Sequence, residues 1–166
     1  MNANTLILQR FRGLYNTGVS RAHPQGLARH FDFIQAPPLD DLRINKEECV
    51  IRDEQSFHRF IANIPDKAMD FVPSPPPSND LLLQRPKIDF DKLMVLVIIS
   101  HEPNCFIDLD IMGIELTSKA MEVFCHYSEP GQGVAKVISY GGYCAVVTRR
   151  FDGEVIFVPC PENPTR

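Results

Sequence analysis

The sequence predicts an α+β fold that is mainly β: an antiparallel sheet, or a small β-sandwich or rolled sheet, with one helix. Three observations predict it. Leu93 to Ile99 is a run of seven apolar residues, four of them β-branched. A run so short and branched reads as a strand covered on both faces. Several segments after it alternate apolar and polar residues, the signature of half-buried strands. Only one stretch carries a helical period. No βαβ rhythm is present, which disfavours a parallel sheet.

The 166 residues fit one domain, with the core expected over about 6–158 and a polar tail over 159–166. A chain of that length buries roughly 68–70% of its extended surface, enough for a core without staples. Apolar residues make up 44% and charged residues 23%, an ordinary globular composition. The net charge of −4 lacks the clustered Lys and Arg of a nucleic-acid binder. No stretch approaches the roughly 18 apolar residues of a membrane span. The N-terminus has no basic region and only Leu6-Ile7-Leu8 as an apolar run, unlike a signal peptide.

Taken in order, Leu6–Phe11 is expected as a first strand and 13–30 as turns. Phe31–Ile34 is a candidate short strand closed by Pro37-Pro38. Glu48–Arg52 is a short strand. Asp53 has the chemistry of a helix N-cap, its carboxylate accepting first-turn amides. Phe57, Phe60, Ile61 and Ile64 then form an i, i+3, i+4, i+7 stripe, which predicts a helix over about 53–64 ended by Pro65. His58 and Arg59 point away from that stripe. Residues 72–80 form a proline-rich connector with polyproline character, read as a stiff spacer.

After the central strand, His101–Asn104 reads as a turn. Cys105–Met112 alternates, with Cys105, Ile107, Leu109 and Ile111 on one face and Asp108 and Asp110 on the other. Gly113 is expected to break it. Ala120–Tyr127 alternates again. Glu129–Gly133 is a loop, 134–139 shows no clear period, Tyr140-Gly141-Gly142-Tyr143 is read as a loop near the sheet end, and Cys144–Arg150 is a strand. Asp152-Gly153 is a strong hairpin signal and predicts that Val155–Val158 returns antiparallel to 144–150.

No catalytic constellation stands out. Cys125 and His126 are neighbours in a strand and point to opposite faces, so they cannot form a nucleophile–base pair. Asp108 and Asp110 share a face and could hold a cation with Glu102 or His101; a solvated polar face explains them as simply. A small metal-binding protein or hydrolase using His101, Asp108, Asp110 or Cys125 is therefore the alternative function. Gly131-Gln132-Gly133 and Gly141-Gly142 do not lie between a strand and a helix, so neither is a phosphate cradle. The five cysteines, at 49, 105, 125, 144 and 160, show no CxxC pair. They read as reduced thiols, mostly small buried hydrophobes, which points to a cytoplasmic home. No cofactor is expected.

The order of Gly18-Val19-Ser20, Val50-Ile51-Arg52-Asp53 with its helix, Pro75-Pro76-Pro77, Ile88-Asp89-Phe90 with its strand, the Tyr143 strand and Asp152-Gly153 resembles the protease-complex accessory subunit family, the PrcB-like domain. In that family an acidic–Phe–basic lead enters the central strand; here it is Asp89-Phe90-Asp91-Lys92. Where the family often carries Gly-Gly-Tyr, this chain has Asn104-Cys105-Phe106. The resemblance spans roughly residues 6 to 158. It implies a non-enzymatic accessory module and carries over no catalytic residue. Family members are typically exported or lipid-anchored, and this sequence shows no export signal.

The expected function is thus protein–protein interaction, with a protein partner, no nucleic acid, no membrane, and a homo-oligomer compatible with the sequence. Glycine lets a partner backbone approach closely and tyrosine supplies rigid amphipathic contact area. The expected contact residues are Tyr127, Tyr140, Gly141, Gly142 and Tyr143, with Asn104 in the turn beside them.

Overall fold

The computed structural model describes residues 6–16, 46–67, 77–100, 109–127 and 140–160. They form β1 (Gln9–Asn16), β2 (Lys46–Ile51), α1 (Glu54–Ile61), β3 (Leu93–Ser100), β4 (Leu109–Leu116), β5 (Ala120–Tyr127), β6 (Tyr140–Arg149) and β7 (Glu154–Pro159). A 3₁₀ turn, Leu81–Gln84, precedes β3. Four strands make an antiparallel sheet in the order β1-β6-β3-β2, and three make a second sheet in the order β4-β5-β7. Among the described residues the architecture is mainly β with one α-helix, as the sequence predicts.

The apolar run of β3 is explained by its place. It lies between β6 and β2, with a layer on each side. Val95, Val97 and Ile99 pack with Phe57, Phe60 and Ile61 of the helix and with Ile64 just after it. Met94, Leu96 and Ile98 pack with Ile111, Ile114, Met121, Val123 and Cys125 of the second sheet. Successive strand residues alternate faces, so a strand with two apolar neighbours has no polar position to spare. The result is three layers: helix, four-stranded sheet, three-stranded sheet.

The helix begins as the sequence predicts. Asp53 accepts a 2.7 Å hydrogen bond from the Ser56 amide, satisfying one of the free donors of the first turn. That bond and the Ser56 hydroxyl lower the Asp53 pKa by holding the carboxylate form. Regular α-helix ends at Ile61, one turn before the expected end. Ile64 still packs into the core from the turn that follows.

Four expectations are corrected. The first strand is Gln9–Asn16, shifted toward the C-terminus, because Gly13–Asn16 pair with Tyr143–Tyr140 rather than turning. Gly113 does not end β4. The register slips between Ile111 and Gly113, so Met112 is the extra residue of a bulge and the strand runs on to Leu116. The bulge restores inward facing: Leu109 and Ile111 point into the core before it and Ile114 after it. Tyr140–Tyr143 are not a loop but the first residues of β6.

The fourth correction concerns Asp152-Gly153, which makes no hairpin. β7 leaves the first sheet and pairs parallel to β5 in the second. The primed turns of a two-residue hairpin need positive φ, and neither Asp152 nor Gly153 has it. Arg52 holds the corner open instead, donating to the carbonyls of Phe151 (3.2 Å) and Gly153 (3.1 Å). Arg150 ties the same corner to the carbonyls of Arg52 and Phe90. Phe151 packs between the sheets and carries the chain across.

The expected strand at 31–34, the turns over 17–30, connector residues 72–76, the 101–104 turn, the 129–133 loop and tail residues 161–166 lie outside the described residues. No helix among the described residues is long and apolar enough to cross a membrane.

Candidate contact surface

Both sheets present the same set of strand ends on one side of the molecule. In the first sheet Ser100 stands opposite Gly142 and Lys46, and Asn16 opposite Tyr140. In the second, Leu109 stands opposite Tyr127. The chain connects these ends through 17–45, 101–108 and 128–139. The opposite end carries the turn over 117–119, the corner over 150–153 and the β2–β3 connection over 52–92, which holds α1. Functional contacts concentrate in connections held by a rigid scaffold, and three of them meet where the two sheets share an end, so that end is the candidate surface.

Tyr127 anchors that end. It closes β5, half-buried, and its hydroxyl donates to Glu48 Oε1 at 2.9 Å. The Lys46 ammonium lies 3.8 Å from its ring centroid, a cation–π contact. Alternation places Lys46 and Glu48 on the face of β2 that also carries Val50, which packs toward the second sheet. One aromatic thus binds the two sheets together at their shared end. Burial, then Cys125 and Glu48, push the Tyr127 pKa far above the usual phenol range, so it is a neutral donor at any physiological pH.

Tyr143 is a correction. It was expected on the contact surface, and it is 2% exposed beneath the helix. Its ring meets Phe60 edge-on at 5.2 Å, and Phe60 stacks on Tyr15 at 5.4 Å. Its hydroxyl lies 2.8 Å from both carboxylate oxygens of Asp80. The reason is register: odd positions of β6 face the helix. Gly141 shares that face and is buried opposite Tyr15, while Gly142 is half-buried opposite Leu14. Tyr140 opens β6 at the candidate end. Asn104 lies outside the described residues.

The metal or hydrolase set is only partly described, since His101 and Asp108 lie outside. Asp110 is already engaged. Arg12 approaches its Oδ2 at 2.6 Å and Arg10 its Oδ1 at 3.3 Å, and Arg10 also donates to the Ile111 carbonyl. This cluster joins β1 to β4, the edge strands of the two sheets. Cys125 is fully buried, and that burial pushes its thiol up to about 12, which leaves no thiolate nucleophile near neutrality. Among the described residues no group of three His, Cys, Asp or Glu side chains converges on a metal position.

The two best-formed concavities among the described residues are open depressions. One lies on the polar face of α1 and one beside the 91–93 and 149–152 segments, both away from the candidate end.

Sequence reading missed Lys46 and Glu48, whose role exists only because β2 lies beside the end of β5. It also missed Asp80, an ordinary acid in a proline-rich stretch. Comparison with family models, with curated proteins and with solved structures finds no match to the chain.

Proposed function

We propose that this chain is a non-enzymatic binding module, an accessory subunit that holds a protein partner at the end bearing Lys46, Tyr127 and Tyr140. The observation that carries this reading is a corner shared by both sheets. The connections 17–45, 101–108 and 128–139 leave from that end, and there Tyr127 locks Lys46 and Glu48 into one rigid corner. Tyrosine is enriched among the residues that anchor protein contacts, and charged residues such as Lys46 and Glu48 suit the polar rim around such an anchor. The resemblance to the protease-complex accessory subunit family supports the same role, and free thiols at Cys49, Cys125, Cys144 and Cys160 support work in the cytoplasm.

The test is site-specific photo-crosslinking in cells. Benzoylphenylalanine is placed at Lys46 or Tyr140, and at the exposed Asp91 of the opposite end, before β3, as the control. A discrete crosslinked partner from positions 46 and 140, and none from 91, is expected. Crosslinks from 91 alone, or the same products from all three positions, would contradict the reading.

A further inference from the structure

The two sheets differ in how their outer faces are treated. The first is covered by α1, whose Phe57, Phe60 and Ile61 complete a core with Ile64 of the following turn. The outer face of the second carries Glu115, Glu122, Phe124, Ile156 and Val158 with Met112 of the bulge, and none of these apolar residues belongs to either core. Ile156 is 40% exposed and Met112 50%; Phe124 and Val158 are half-buried. Phe124 stands opposite Gly113, so no neighbouring side chain covers it from β4.

The charge on this sheet has one sign. β4, β5 and β7 contain no Lys or Arg. Asp110 is neutralised by Arg10 and Arg12. Glu115 lies directly opposite Glu122, and Glu122 opposite Ile156. Glu154 is two positions from Ile156 and on the same face. Like charges directly opposite one another destabilise a strand pair. Among the described residues no cation pairs with Glu115, Glu122 or Glu154. Nor do they form a metal-holding group. An apolar strip uncovered by the described residues, beside carboxylates that none of them compensates, is complementary to a surface that is apolar and basic.

We propose that the outer face of the β4-β5-β7 sheet docks a basic amphipathic helix of a partner protein, laid on it as α1 is laid on the first sheet. The apolar stripe of that helix covers Phe124, Ile156 and Val158. Its Lys or Arg residues reach Glu115, Glu122 and Glu154 at the end of the sheet near the 117–119 turn. A second copy of this chain fits poorly, because it would set the same carboxylates face to face in a chain of net charge −4. This face is separate from the end assigned to partner contact above, so either assignment can fail alone.

The test measures binding of an amphipathic Leu/Lys helical peptide to the full chain by fluorescence anisotropy at about 150 mM salt, where weak surface attraction is screened. A matched Leu/Glu peptide is the control. The wild type binds the Leu/Lys peptide and not the Leu/Glu peptide. Glu115→Lys with Glu122→Lys, and separately Ile156→Asp, each weaken Leu/Lys binding by at least about tenfold with an unchanged melt. If the double variant is destabilised, Ile156→Asp decides. No binding by the wild type, or equal binding by Ile156→Asp, overturns the proposal. Self-association of the wild type that Ile156→Asp abolishes also overturns it, by assigning the face to a second copy.

Discussion

The hydroxyl of Tyr143 lies 2.8 Å from both carboxylate oxygens of Asp80, sixty-three residues earlier in the chain. Asp80 also accepts from the Leu82 amide at 2.9 Å, capping the 3₁₀ turn. One carboxylate therefore fastens the segment before β3 to the floor of the helix-side core. Gly13 makes the arrangement possible. A Cβ built there would overlap Asp80 Oδ2 and come within 2.9 Å of the Tyr143 ring. Tyr143→Phe leaves a half-buried carboxylate short of one donor and costs about 1–3 kcal/mol. Gly13→Ala forces Asp80 aside and breaks the same contact. Denaturant unfolding of the single variants and the pair is expected to show strong non-additivity, with a coupling of about 1 kcal/mol or more. Full additivity would mean that Gly13 and Tyr143 act separately.

Val97 occupies the middle of β3, fully buried and facing the helix side. Val97→Asp places a charge where no partner stands. A loss on the order of 4 kcal/mol or more is expected, enough to unfold a marginally stable chain. A circular-dichroism melt close to wild type would refute the interior placement of β3.

Thr148 offers the opposite change. It is buried, and its Oγ1 has no hydrogen-bond partner among the described residues. A buried hydroxyl without a partner costs free energy that an apolar group of the same shape does not. Thr148→Val is expected to raise stability by about 1 kcal/mol, read as a higher denaturation midpoint with unchanged slope. A lower midpoint would show that the hydroxyl is satisfied in solution.

The thiols set the alkaline limit. Burial pushes Cys125 up to about 12, and Cys49 likewise, from an ordinary value of 9.0. The raised folded-state pKa means that the unfolded chain releases these protons first. The stability they hold is full below about pH 9 and declines as pH climbs toward about 12. Tyr15, also raised to about 12, steepens the decline above pH 10. Melts at pH 8, 9, 10 and 11 are expected to fall across that series. Cys125→Ala should fall less steeply between 9 and 10, whatever its starting value. A flat or rising series would contradict the assignment. Native-state labelling should reach Cys49 and Cys160 before the fully buried Cys125 and Cys144.

Much of the fold was legible because its signals are local. The two-sided burial of β3 follows from seven apolar residues in a row. The helix follows from an Asp cap and a four-residue stripe, and the bounds of β5 from plain alternation. What failed depends on partners far away in sequence. Asp152-Gly153 looks the same in a hairpin and in a corner. Arg52, about a hundred residues earlier, decides between them by holding the corner carbonyls. A bulge at Met112 is invisible until β5 supplies the register. Tyr143 after two glycines reads equally as a loop tip or a strand start, and pairing with β1 and capture by Asp80 place it inside. Of the expected contact residues, Tyr127 and Tyr140 stand at the candidate end. The Lys46–Tyr127–Glu48 corner needed both sheets before it existed.

The central claim is that the protein partner of the proposed function meets the sandwich at the end bearing Lys46, Tyr127 and Tyr140. Hydrogen exchange of the full chain, alone and bound to a partner recovered by crosslinking, tests it most directly. The account predicts slowed exchange at the amides of Lys46–Glu48, at Tyr127 and at Tyr140–Gly142, with little change at 117–119 and 150–153. Protection confined to 117–119 and 150–153, with none at Lys46, Tyr127 and Tyr140, would contradict it.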